Sequence, residues 1–133
     1  MQERIERELA LLRQRHPDLE YREEGRWVRI PRYPLPPGWN RETTDVAFPM
    51  PSAFPGVPPY GIYAPVGLTF NGNRPDNYTE PASTQPPFGG VWGIFSWTTV
   101  DGQWRATAEP DPIRGYTLLA WVNGFADRFQ QGR

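Results

Sequence analysis

The chain contains no cysteine and no lysine, and its single histidine is His16. Without thiols it can form no disulfide, hold no thiolate-bound metal and offer no cysteine nucleophile. One imidazole is too few for a histidine-based metal site, so no metal or other cofactor is expected. All 14 basic residues are arginines, set against 15 acidic ones. A net charge of -1 creates no field that would draw nucleic acid or an anionic membrane. Long apolar runs are also missing, since none approaches the roughly 18 residues of a membrane span. Met1-Gln2-Glu3-Arg4 leads into charge, not into an apolar leader. A single cytoplasmic domain over residues 1–133 is expected, long enough to bury roughly two thirds of its unfolded surface. The arginine-only basic set fits codon usage in a GC-rich genome. It also suits a protein that handles activated acyl groups, because only the N-terminal amine would then be open to self-modification.

What is present is a sequence of short periodic segments. Glu3 to Arg15 carries Ile5, Leu9 and Leu12 at helical spacing, with Glu and Arg on the other face, and His16-Pro17 stops it. Leu19–Arg22 and Trp27–Ile30 alternate around Gly25 and predict a hairpin. Tyr33–Arg41, with three prolines, reads as an extended connection. Asp45–Met50 and Tyr60–Tyr63 are the third and fourth strands. Val66–Gly93 is a long Asn/Pro/Gly/Thr-rich stretch, and a loop of that length in a compact domain is usually functional or disordered. Tyr116–Phe129 is a second helix with Leu118, Trp121, Val122, Phe125 and Phe129 as its apolar stripe. Trp92, Trp97, Trp104 and Trp121 are expected in the core. The predicted class is α+β, with helices on one side of an open antiparallel sheet. No Gly-rich phosphate loop, dinucleotide fingerprint or zinc spacing is present.

Two motifs stand out. Phe54-Pro55-Gly56-Val57-Pro58-Pro59 joins two apolar runs, and Ser96 lies eight residues before Trp104. Together they resemble the Tyr-Pro-x-x-Pro-Pro turn and active-site segment of the ubiquitin-conjugating superfamily. The combination of Leu35-Pro36-Pro37-Gly38-Trp39-Asn40, Gly67-Leu68-Thr69-Phe70-Asn71-Gly72, Phe95-Ser96-Trp97 and Leu118-Leu119-Ala120-Trp121-Val122 is closer to the bacterial ubiquitin-conjugating-like family E. The resemblance spans roughly residues 33 to 130. It implies an N-terminal helix, a four-stranded antiparallel meander, a long active-site loop and a C-terminal crossover helix. It also implies three partners: a ubiquitin-activating-like enzyme, a ubiquitin-like protein and, in the same pathway, a JAB-type metalloprotease, with a link to phage defence.

In that resemblance Ser96 occupies the position of the superfamily's cysteine. The superfamily's His-Pro-Asn is absent, and Asn71, Asn73 and Asn77 are the candidates to support an oxyanion. Asp101 is the candidate base, although Asp101-Gly102 is also an ordinary turn dipeptide. Arg4, Arg7 and Glu8 on the first helix are candidates for contacting the activating enzyme. Phe54, Trp97 and Trp104 are further partner-binding candidates, Trp104 also as a buttress of the active-site loop. Serine needs an activating base where a thiol does not. Two readings follow: Ser96 carries the ubiquitin-like C-terminus as an oxyester, or the chain is a non-catalytic adaptor. An engineered replacement of cysteine would leave the same serine, and an unrelated Trp/Pro-rich peptide-binding domain is a third reading.

Overall fold

The computed structural model describes residues 2–51, 59, 61–75, 78–96, 121–122 and 125–131. Helix α1, Gln2–Arg15, forms where expected and ends as His16 N–H donates to Leu12 O at 2.9 Å before Pro17. Its buried stripe is Ile5, Glu8, Leu9 and Leu12. Strands β1, Glu20–Arg22, and β2, Trp27–Pro34, make the predicted hairpin. The turn between them contains Gly25 at φ 75°, where a Cβ would lie 2.9 Å from the Trp27 ring. A side chain there would face both steric conflict and an unfavourable left-handed backbone.

β2 runs further than proline content suggests. A bulge at Pro31–Arg32 resets the register, so that Tyr33 pairs with Thr44 and Pro34 with Thr43 of β3, Thr43–Pro49. Arg32 takes φ 56° there, and its N–H donates to Asp45 Oδ1 at 3.2 Å. Bulges let proline sit in a strand without breaking the ladder on both sides. β4, Ile62–Pro65, follows. The stretch expected as one long loop then supplies two more strands, β5, Tyr78–Thr79, and β6, Trp92–Phe95.

The expected ubiquitin-conjugating-type arrangement is therefore corrected. The strands form one six-stranded antiparallel sheet in the order β1-β2-β3-β4-β6-β5, with two short helices, rather than a helix, a four-stranded meander, a long loop and a crossover helix. Periodicity hid β6 because Gly93 interrupts its apolar pattern. A Cβ at Gly93 would lie 2.5 Å from the Tyr78 hydroxyl, so the glycine is what lets β5 close on β6. β5 is only two residues long and leaves Trp92 without a strand neighbour on that side. The Gln85 side chain fills the gap: its Oε1 accepts from Trp92 N–H at 2.8 Å, and its Nε2 donates to Trp92 O at 3.0 Å.

Strand alternation divides the burial between two faces. Val28, Ile30, Val46, Phe48, Ile62, Ala64 and Phe95 face the helices and share a core with Ile5, Leu9, Leu12, Trp121, Val122, Phe125 and Phe129. Trp121 and Val122 are helical, and α2 covers Phe125–Gln131, so the expected stripe is buried in its described part. On the outer face Trp27, Ala47, Tyr63 and Trp92 form a second cluster with Ala82, backed by Phe88 and Ile94. Both faces are thus covered, the inner by helices and the outer by the 80–91 segment.

Gly93→Ala should lower stability by roughly 1–3 kcal/mol, the usual cost of forcing extra volume into a packed site. Urea denaturation checks this, and a midpoint equal to wild type would refute the Gly93–Tyr78 contact.

Candidate functional site

Ser96 follows β6 directly. Trp92 and Ile94 belong to the outer cluster, so by alternation Ser96 continues the outer row, and it is exposed. The residue before it does the opposite. Phe95 is fully buried, with ring centroids 4.6 Å from Tyr78, 5.7 Å from Phe129 and 6.0 Å from Trp39. The Arg128 guanidinium lies 4.9 Å over the Phe95 ring on the helix side. An anchored aromatic therefore holds the backbone immediately before an accessible hydroxyl. Gly61 adds a close approach, one step past the Ile62–Phe95 pair. At φ 85°, its Cβ would lie 2.7 Å from Ile94 Cδ1 and 3.5 Å from Phe95 O.

Across the ladder Tyr78 pairs with Phe95. Its hydroxyl donates to Glu80 Oε2 at 2.8 Å, and the same oxygen accepts from Gly67 N–H at 3.2 Å. Burial pushes the Tyr78 phenol far up, and the Glu80 carboxylate pushes it further. The Tyr78 hydrogen bond in turn holds Glu80 below the usual carboxylate range, helped by the Gly67 amide and by Arg74. Both directions keep the proton on the phenol. This pair is a latch joining the 66–75 loop to β5, not a proton relay.

The expected site residues are not all gathered there. Asn71 and Asn73 flank Gly72 in a tight turn, with Phe70 N–H donating to Asn73 O at 2.8 Å and Asn73 N–H to Phe70 O at 2.9 Å. Asn71 at φ 50° and Gly72 at φ 82° have the two left-handed centres such a turn demands. Asn71 N–H donates to Gly38 O at 2.8 Å, which seats the turn beside Trp39. Turn chemistry thus accounts for Asn71, while Asn73 closes the turn through its backbone. Asn77, Asp101, Phe54, Trp97 and Trp104 lie outside the described residues, although Tyr78, the residue after Asn77, is the partner of Phe95.

On α1, Arg7 is exposed, whereas Glu8 is fully buried and presents no surface to a partner. The Arg4 side chain lies outside what is described. Glu8 sits three residues after Ile5 and one before Leu9, so the stripe spacing itself carried the signal. His16 stacks on Tyr33 with centroids 6.0 Å apart. Burial lowers its pKa, and Arg15 lowers it further.

Clefts lie elsewhere among the described residues. One of about 380 Å³ is lined by Arg22, Trp27 and Gln85 among others, and one of about 300 Å³ by Leu35, Trp39 and Arg41 among others. Among the described residues no group of three or more His, Asp or Glu could hold a metal ion. Nor is any helix among them long and apolar enough to cross a membrane.

Glu80→Gln should weaken the fold near neutral pH, because a carboxylate held low stabilises the folded state wherever it is ionised. That difference from wild type should shrink as pH falls below the ordinary glutamate value of about 4.3. Denaturation midpoints across the acidic range measure it; a constant difference would place the effect elsewhere.

Compared with known proteins, the chain matches no family model, no curated protein and no solved structure.

Proposed function

We propose that the chain works in ubiquitin-like protein conjugation, taking the C-terminus of a ubiquitin-like protein from an activating enzyme onto Ser96. The observation that carries this reading is the exposed Ser96 directly behind the fully buried Phe95. An adaptor would have no use for an accessible hydroxyl on an anchored strand end. The motif set around Ser96 and at Leu35–Asn40 and Gly67–Gly72 supports the same reading.

The step balances without a cofactor on this chain. Ser96 Oγ attacks the carbonyl carbon of the thioester on the activating enzyme. A C–O bond forms, the C–S bond breaks, and the hydroxyl proton ends on the departing sulfur. The product oxyester is more stable than the thioester, so transfer runs forward, and onward attack by an amine is slower. A hydroxyl is a weak nucleophile at its free pKa and needs a base. Tyr78–Glu80 is not that base, since the phenol lies against Gly93 on the inner face while Ser96 continues the outer row. Asp101 remains the proposed base, and Asn77 the proposed amide donor to the oxyanion.

Incubation with the activating enzyme, the ubiquitin-like protein and ATP should add one ubiquitin-like mass to this chain. The adduct should survive thiol, be cleaved by hydroxylamine and vanish in Ser96→Ala. Ser96→Cys should load faster, on the order of tenfold or more, and yield a thiol-labile adduct, since a thiol is partly ionised near neutral pH. A stable complex with no adduct in either form would make the chain an adaptor.

A further inference from the structure

We infer that the cleft between the β1–β2 turn and the 85–87 segment binds an extended peptide that carries an arginine or lysine side chain. The Trp27 indole donates to a backbone carbonyl of that peptide, and Glu23 and Glu24 hold its cation. The site is separate from Ser96 and does not depend on the chemistry proposed there. It measures about 380 Å³, and Arg22, Glu23, Glu24, Gly25, Trp27 and Gln85 line it. That volume is within the range of small-ligand sites and takes a few residues of chain.

The indole is the observation that points to a ligand. A buried indole N–H usually has an acceptor. Trp39 Nε1–H donates to Phe129 O at 2.9 Å, and Trp92 Nε1–H to Gly89 O at 2.7 Å. Trp27 is 7% exposed, yet its Nε1–H has no acceptor among the described residues. Its pyrrole edge lies under Gly25, where a Cβ would be 2.9 Å from Cδ1 and 3.1 Å from Nε1. With no side chain at Gly25, that edge stays open to the cleft. Gln85 does not cap it. Its Oε1 accepts from Trp92 N–H at 2.8 Å, and its Nε2 donates to Ala82 O at 2.9 Å and Trp92 O at 3.0 Å.

The charges select the occupant. Glu23 and Glu24 are exposed, and neither is in an ion pair among the described residues. Arg22 on the same lining is held over the Phe88 ring, 5.4 Å from its centroid, and Arg26 reaches Pro51 O at 3.4 Å. An anion would meet two carboxylates here, and a bare metal ion would leave the indole N–H unanswered. A basic peptide answers both groups at once, with a carbonyl as acceptor and a cation for the carboxylates.

The test follows the indole proton of Trp27 by nuclear magnetic resonance in the full chain. Before any peptide is added, it should exchange with water faster than the indole protons of Trp39 and Trp92. The probe is capped Ala-Ala-Arg-Ala-Ala, raised into the millimolar range expected of so short a ligand. It should move the Trp27 signal downfield and saturably, leaving Trp39 and Trp92 in place. The same peptide with Gln for Arg should have little effect. The double variant Glu23→Gln with Glu24→Gln changes only exposed positions and should fold as wild type. It should bind the arginine peptide at least about threefold more weakly, the scale of two exposed ion pairs. Exchange as slow as that of Trp39 and Trp92, no shift with the arginine peptide, an equal shift with the glutamine peptide, or wild-type binding by the double variant would each overturn the proposal.

Discussion

The Trp39 indole is the contact on which the rest of this fold depends. Its Nε1–H donates to Phe129 O at 2.9 Å, while its ring meets Phe70, Phe129 and Phe95 at 5.4, 5.6 and 6.0 Å. Two requirements are met by one bond. A buried indole N–H needs an acceptor, and the last carbonyls of a helix have no partner within it. Tyr33 makes a similar contact, its hydroxyl donating to the buried Val122 O at 3.0 Å. A helix of seven residues is far too short to stand alone in water. Trp39 by this bond, and Tyr33 by ring contacts with Phe125 and Phe129 at 5.7 and 5.9 Å, hold α2 against the sheet.

From that clamp the position of Ser96 follows. Trp39 and Phe129 form the floor on which Phe95 rests, and Phe95 sets the end of β6. The outer face is covered differently. There Arg29 is held by Asp45 Oδ2 at 2.9 Å and by Glu20, with its guanidinium 5.9 Å from the Phe88 ring. The hydrogen bond to Asp45 is the main reason its pKa rises. A charge can sit on a covered face only when it is paired in this way. Phe88 belongs to the segment that also supplies Gln85, so one crossing of the outer face covers Trp27 and Tyr63 and completes the β6 ladder. The covering stops before Ser96.

A serine placed like this has access without activation from the residues described around it. The Tyr78 phenol and the Glu80 carboxylate lie on the other face, against Gly93, and tie the 66–75 loop to β5.

Local physics was enough for several elements. The 3.6-residue stripe of α1, the alternation around Gly25 and the Trp121–Phe129 stripe each depend on neighbours within a turn or a hairpin, so they were legible in the sequence. The prolines of β2 misled because a bulge, set by pairing with Asp45 and Thr44, absorbs Pro31. β5 and β6 were hidden because their pairing is non-local: Gly93 is a strand residue only once Tyr78 lies across it. Glu8 was readable from its spacing but was assigned by its charge. For the site, the sequence could nominate Ser96 and the Asn71–Gly72–Asn73 turn by residue type. Only the tertiary structure decided that the serine is exposed, that the turn seats against Gly38, and that the Tyr78 hydroxyl donates to Glu80 against Gly93. Residue chemistry and short-range periodicity are written in the chain itself, whereas burial and cross-strand partners exist only after distant segments meet.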